Sequence, residues 1–423
     1  MENIRKSYEK IITPIIGLSN GKPGQIAYYA AFAAVYVFRF YYTSMFTSLS
    51  AKPVFLAIPY YVGYLLLAGL AALAVVDALR SSKREALFLC AILITGALSA
   101  YFGKNYENTL PLCLLIVASR KRNVRPVFIL SVILGSIVLL SAYYASMNGY
   151  IPYLVYERGN DGLLSHAFGM NYRTDLAAHV LYIIMCYAVI RGEKLHLWEY
   201  LMLVFDCWLV WRYTYARIAS FCIAAFLVLA GLALLAFYIR KRISGKAEWF
   251  AIPKWTSVVH IIGAVFSFAI VAWWAHIKNN GFSAASSDSF QERLSYSIQA
   301  FQKYPLTLFG QLVEERGAGG MPDTSIQYFF IDIFYIRILI LGGVAMLILY
   351  LCLMSIASFR AAKESQIILA IALIMIAFDS MIEHHAFELS YNVLIVYSLG
   401  CFRKDNCRSE ILTPHSADPI ALS

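Results

Sequence analysis

Charged side chains make up only 14% of the 423 residues, where a soluble domain carries about a quarter. With 60% hydrophobic residues, the chain has too little polar surface to cover a water-soluble fold. No stretch alternates apolar and polar positions over about ten residues, which excludes a transmembrane β-barrel. No CxxC occurs, and the eight cysteines, at 90, 113, 186, 207, 222, 352, 401 and 407, avoid the long polar loops assigned outside. Neither a disulfide framework nor a metal site is indicated. No basic stripe is interleaved with aromatics in a polar domain, so nucleic acid is not an expected partner. The start, MENIRKSYEKIITPIIG, has no adjoining apolar region ending in a small-residue cleavage site. Residues 1–24 are therefore expected to remain as a cytoplasmic tail.

What the chain does have is one apolar run after another. A run of about 20 residues crosses a bilayer, and polar breaks divide residues 25–402 into about twelve such runs. They lie near 25–45, 53–78, 85–102, 106–119, 126–145, 174–190, 196–213, 218–239, 255–277, 328–357, 365–382 and 386–402. The expected fold is all-α: a polytopic helical membrane domain over 25–402 with about twelve transmembrane helices. Residues 403–423 form a second cytoplasmic tail.

Lys and Arg set the orientation. With the N-terminus inside, 23 fall inside, 9 outside and 3 within spans, a strong positive-inside asymmetry. The net charge of +10 thus reflects topology. Two outer loops are long enough to hold chemistry, 146–173 and the large loop 278–327. Against the rule, Arg158, Arg173, Arg217, Arg293 and Arg316 all fall outside.

A guanidinium stays charged and presents forked donors that match phosphate oxygens. Five of them on one side suggest an anionic ligand at the membrane surface; pairing with Glu157, Glu292, Glu314 and Glu315 is the plain alternative. Arg212 and Arg217, in WRYTYARIAS, flank a tight turn at the membrane edge. Arg39 and Arg337 fall within spans near an end, where arginine snorkels, and no role is assigned to them. The acids in spans are Asp175, Asp206, Asp332 and Asp379, with Glu383 at an outer end. Asp175 and His179, and Asp379 and Glu383, are spaced to share a helix face, as are Asp332 and Tyr335. His384-His385 offers an acid/base group or an interfacial cap.

Four segments in order carry a resemblance. TYARIASF (214–221) resembles the SRTA-like segment of the O-antigen polymerase/ligase superfamily, with Ala216 where that family often has Ser. A large outer loop of the form R…YP…FG follows, here Arg293, Tyr304-Pro305 and Gly310. A D-x-x-Y…G element comes next, DIFYIRILILGG (332–343), and then a late E…YN, EHHAFELSYN (383–392). The whole resembles a Wzy-type polysaccharide repeat-unit polymerase, best over residues 170–395.

That resemblance implies a glycosyltransferase in the bacterial cytoplasmic (inner) membrane, multi-pass with both termini cytoplasmic. Its substrates would be undecaprenyl-diphosphate-linked oligosaccharides, met among membrane lipid, with a flippase and a chain-length regulator as partners. It implies Arg217 and Arg293 as catalytic groups that stabilise charge on the leaving diphosphate. Arg158, Arg173, Arg212, Asp332, Tyr335, Glu383 and His384 would bind substrate. No DxD or metal-ligand cluster stands in the outer loops, so neither metal nor cofactor is expected. An O-antigen ligase-type transferase and a lipid-linked oligosaccharide flippase are the alternatives. The ligase branch is associated with a histidine in the large loop, and 278–327 contains none.

Overall fold

The computed structural model describes residues 2–49, 54–158, 162–245, 249–279, 289–317, 319–320 and 328–402. Among them the chain is helical apart from one hairpin and connecting segments. The helices are α1 (Glu2–Asn20), α2 (Lys22–Tyr41), α3 (Val54–Ser81), α4 (Lys83–Gly103), α5 (Thr109–Ala118) and α6 (Arg125–Met147). The hairpin, β1 (Val155–Arg158) with β2 (Leu163–His166), precedes α7 (Arg173–Arg191), α8 (Leu197–Thr214), α9 (Arg217–Ser244) and α10 (Val259–Asn279). Then come α11 (Ser289–Lys303), the short α12 (Phe334–Arg337), α13 (Gly343–Lys363) and α14 (Ile367–Asp379).

Among the described residues, seven helical stretches are long and apolar enough to cross a membrane: Val54–Ser81, Lys83–Gly103, Arg125–Met147, Arg173–Lys194, Arg217–Ser244, Lys254–Lys278 and Phe334–Lys363. Their ends follow local chemistry. Pro23 and Pro126 sit in the first turns of α2 and α6, where a missing N–H costs nothing. Ser82 caps α4 by accepting from the Glu85 N–H at 3.3 Å.

The core runs along α2, with Tyr28, Phe32, Val35 and Phe40 fully buried against α3 and α6. In lipid, such packing is held by close van der Waals contact and by hydrogen bonds rather than by escape from water. At the end assigned inside, the basic run after α5 is folded into the protein. Arg120 holds both Glu85 oxygens at 2.7 Å from α4, and Arg122 donates to Ser19 O and Oγ at 2.9 and 2.8 Å. These cations tie α1, α4 and α5 together.

Three places differ from the sequence expectation. Residues 386–402 hold two short 3-10 turns, His385–Phe387 and Leu394–Ser398, and no α-helix. Asn392 lies inside this stretch, its amide donating to Ala386 O at 2.8 Å, and side-chain bonds of this kind compete with a helical ladder. Within 278–327, residues 289–303 form an amphipathic helix, α11, while 280–288, 318 and 321–327 lie outside the described residues. The span expected to begin at 328 opens with extended chain to 333 and a π-helical turn, Ile338–Gly342, before α13.

That turn explains the polar stretch QERLSYSIQAFQKYPLTLFG (291–310). After α11 the chain runs extended beside the broken helix. Thr307 O and Leu308 O accept from Val344 N and Ala345 N, each at 3.0 Å, and Gln311 N donates to Leu341 O at 3.2 Å. The free donors at the start of α13 are thereby satisfied. Gly310 and Gly343 make the approach possible, both with φ +87°. A Cβ on Gly310 would lie 2.0 Å from Leu341 O, and one on Gly343 2.3 Å from Gly310 N. Gly310→Ala and Gly343→Ala should each cost at least about 2 kcal/mol from positive-φ strain and overlap with backbone. Thermal unfolding of the detergent-solubilised protein checks this: each variant should melt clearly below the wild type.

Candidate functional site

A cavity of about 770 Å³ opens where the first turns of α7, helix α11, the chain before α12 and the segment after α14 converge. Its wall is rich in charge: Arg39, Arg173, Arg293 and Arg337 stand among Asp175, Glu292, Asp332 and Glu388. Arg293 projects from the buried side of α11. Its Nη1 donates to Ile382 O and to Glu383 Oε1, both at 2.8 Å, and its Nε lies 3.6 Å from Asp332 Oδ2. All three side chains are at most 14% exposed, so the ion pairs are poorly screened.

Burial alone lowers the Arg293 pKa, but Glu383 and Asp332 outweigh it and hold the guanidinium firmly charged. Burial pushes the Asp332 carboxyl up to about 6, with Arg293 opposing and Glu383 adding to the rise. Arg337 is ion-paired with Glu315 and lies over the Phe330 ring, 4.5 Å from its centroid. Arg39 pairs with Glu107 at 3.2 Å. Arg173 donates to Ser165 Oγ of β2 at 2.8 Å, so the hairpin orients a cavity arginine.

Several expected site residues meet here: Arg173, Arg293, Asp332 and His384 line the cavity, and Glu383 is bonded to Arg293. Others do not. Arg217, the first residue of α9, and Arg212 are both exposed and do not line it. The α8–α9 turn lies beside the hairpin, where Tyr213 meets His166 and Phe168, and Arg212 donates to Tyr215 Oη at 3.2 Å. Tyr335 is a further correction. Asp332 precedes the helix, so the two share no helix face. The Tyr335 ring is fully buried, its hydroxyl 3.3 Å from Ala377 O and 3.3 Å from His260 Nδ1, and it packs α12 against α10 and α14. Arg158 ends β1, and its side chain lies outside the described part of the structure.

The sequence pattern missed Arg39, Arg337, Asp175 and Glu388 as wall residues. For the first three a signal existed, because an ionisable residue inside an apolar span faces a partner or a wet cavity by default. Glu388, inside the expected span 386–402, carried the same signal and was passed over.

Compared with known proteins, the chain matches no family model, no curated protein and no solved structure. The site therefore rests on its own geometry.

The raised Asp332 pKa carries a sign. The folded protein holds this proton to about pH 6 and the unfolded chain releases it near the ordinary carboxylate value, about 4. This group therefore makes stability fall as pH rises from about 4 through 6. Thermal unfolding of wild type and Asp332→Asn between pH 4.5 and 7.5 should show the extra downward slope in the wild type alone. Equal slopes would mean that Asp332 titrates normally.

Proposed function

We propose that the protein is a membrane glycosyltransferase of the O-antigen polymerase/ligase type. It would polymerise undecaprenyl-diphosphate-linked oligosaccharide units into capsular polysaccharide, exopolysaccharide or O-antigen. The observation that carries this is the buried Arg293, held by Glu383 and Asp332 in the wall of a charged cavity of about 770 Å³. R…YP…FG, D-x-x-Y…G and E…YN each contribute one member of that trio, which gives the motif order a spatial meaning.

In this proposal the acceptor sugar hydroxyl attacks the anomeric carbon of the lipid-linked glycan. A new glycosidic bond forms, the bond to the diphosphate oxygen breaks, and the hydroxyl proton passes to a carboxylate. Asp332 is suited to accept it, because a base works best with a pKa near the operating pH. The charge left on the lipid diphosphate is met by fixed guanidinium donors. Arg293 takes that role with Arg39, Arg173 and Arg337 around it, whereas Arg212 and Arg217 lie outside the cavity lining and are given no part in the transfer. A ligase-type transferase is favoured by one observation. His384 lines the cavity and brings a histidine there from a segment outside the large loop.

The topology belongs to the same proposal. Besides the seven long stretches, α2, α5, α8 and α14 cross as shorter helices, and 386–402 makes the twelfth passage as irregular chain inside the bundle. Such backbone is tolerated at membrane depth where protein surrounds it. Both termini would face the cytoplasm of the bacterial inner membrane and the cavity the outer side. A flippase that supplies the units and a chain-length regulator would be its partners.

Arg293→Ala should lower polymer at least about 100-fold per amount of folded protein, and Arg293→Lys should restore little, since an ammonium does not reproduce a forked donor. Arg217→Ala should retain polymer. Polymer ladders from cells carrying each variant test this, and full ladders from Arg293→Ala would remove the site. For topology, Tyr150→Cys, at a position 67% exposed between α6 and the hairpin, should react with an impermeant maleimide in intact cells. Reaction only after permeabilisation would invert the orientation.

A further inference from the structure

Three of the four cavity arginines have carboxylate partners: Arg293 with Glu383 and Asp332, Arg337 with Glu315, Arg39 with Glu107; the fourth, Arg173, donates to Ser165 Oγ. Among the wall carboxylates, Asp175 and Glu388 are buried deepest without a cation. Among the described residues, neither Asp175 nor Glu388 has a lysine or arginine within ion-pair distance; Glu388 Oε1 has only His384 Nε2, at 3.9 Å. Beside them stands His385, fully buried, with neither ring nitrogen in a hydrogen bond. A buried polar side chain without a partner costs about 1–3 kcal/mol, and the immediate surroundings supply carboxylates and a second imidazole. The His384 and His385 rings stand 4.0 Å apart, centroid to centroid, and His384 Nδ1 is likewise without a partner.

We propose that Asp175, His384 and His385 form a binding site for a divalent first-row transition-metal ion, with Glu388 as the neighbouring counter-charge. Each of the three offers one ligand atom, and these atoms lie within 4.8 Å of one another, so a single ion fits among them. Two imidazole nitrogens and one carboxylate oxygen suit zinc, cobalt, nickel or manganese, whereas magnesium and calcium take oxygen-rich sites. Ligation needs an imidazole nitrogen with a free lone pair, and neither ring nitrogen of His385 nor Nδ1 of His384 is engaged in a hydrogen bond. Asp175 and His384 line the cavity, so the remaining coordination positions face it, as in metal sites that keep a place for water or a ligand.

A second trio, Asp332, Glu383 and His384, has equally close ligand atoms. It is a poorer metal site because the Arg293 guanidinium already lies on both of its carboxylates. The ligands come from the start of α7 and from the chain after α14, which is why no spacing along the sequence announces them.

The site is independent of the proposed glycosyl transfer, and its test reads metal alone. Purified full-length protein, stripped with chelator and dialysed, is titrated with Co²⁺ while bound metal and the visible ligand-field spectrum are followed. One Co²⁺ per chain is expected, without the thiolate charge-transfer absorption that the cysteines would give. Asp175→Asn and His385→Gln should each weaken binding at least tenfold, and Asp332→Asn should change it less than threefold. Co²⁺ should also raise the thermal midpoint of the wild type and not that of Asp175→Asn. If His385→Gln does not fold, the wild-type spectrum and Asp175→Asn decide. Less than a tenth of an equivalent bound at tens of micromolar Co²⁺, a thiolate spectrum, or loss in Asp332→Asn with none in Asp175→Asn would each overturn the site.

Discussion

The Arg293 guanidinium joins three segments that no helix connects: α11, the extended chain before α12, and the turn after α14. Its partners are at least as buried as it is, so all three charges have left bulk solvent together. Removing one member of such a set costs about 3–5 kcal/mol, because the others are left uncompensated. The cavity wall is therefore held by charge where elsewhere the bundle is held by apolar packing. Arg293 also cannot be freely reoriented: its donors are shared between two carboxylates and the carbonyl of Ile382.

A second constraint supports the first. The helix entering at Phe334 is interrupted by the π-turn and by Gly343, leaving donors that lipid cannot satisfy. The chain at 307–311 satisfies them and in doing so is fixed against α13. Because that chain continues directly from α11, the break in one helix sets the position of another. Arg293 reaches Glu383 only with α11 in that place. Tyr335, buried between α10 and α14, anchors the same entry from the opposite side.

The charge inventory bears on what the cavity would accept. Arg39, Arg293 and Arg337 are already paired with carboxylates, so an anionic ligand must draw on Arg173, on donors partly in use, or enter with a cation. The proposed diphosphate lipid fits the first two descriptions and the proposed metal site the last. An uncharged sugar alone would make little use of any of them.

The all-α character and the apolar spans were legible in the sequence, because run length and hydropathy act locally and need no knowledge of neighbours. Each of the seven long helices overlaps one expected run for that reason, though their ends differ by up to several residues. Arg293, Asp332 and Glu383, the residues of the proposed site, could be singled out in the sequence as unusual residues at span ends in a recognisable order. Their mutual ion pairs were not legible there. Nor was the position of Arg217, which has the right residue type beside the right turn but does not line the cavity. The failure at Tyr335 came from assuming that the helix began at Asp332, when the chain there is extended and the two side chains diverge. Asp175 meets His384 and His385 only because α7 and the segment after α14 end side by side. Periodicity and composition describe how each segment meets lipid and water, but a site is made where separate segments meet each other, and only packing decides that.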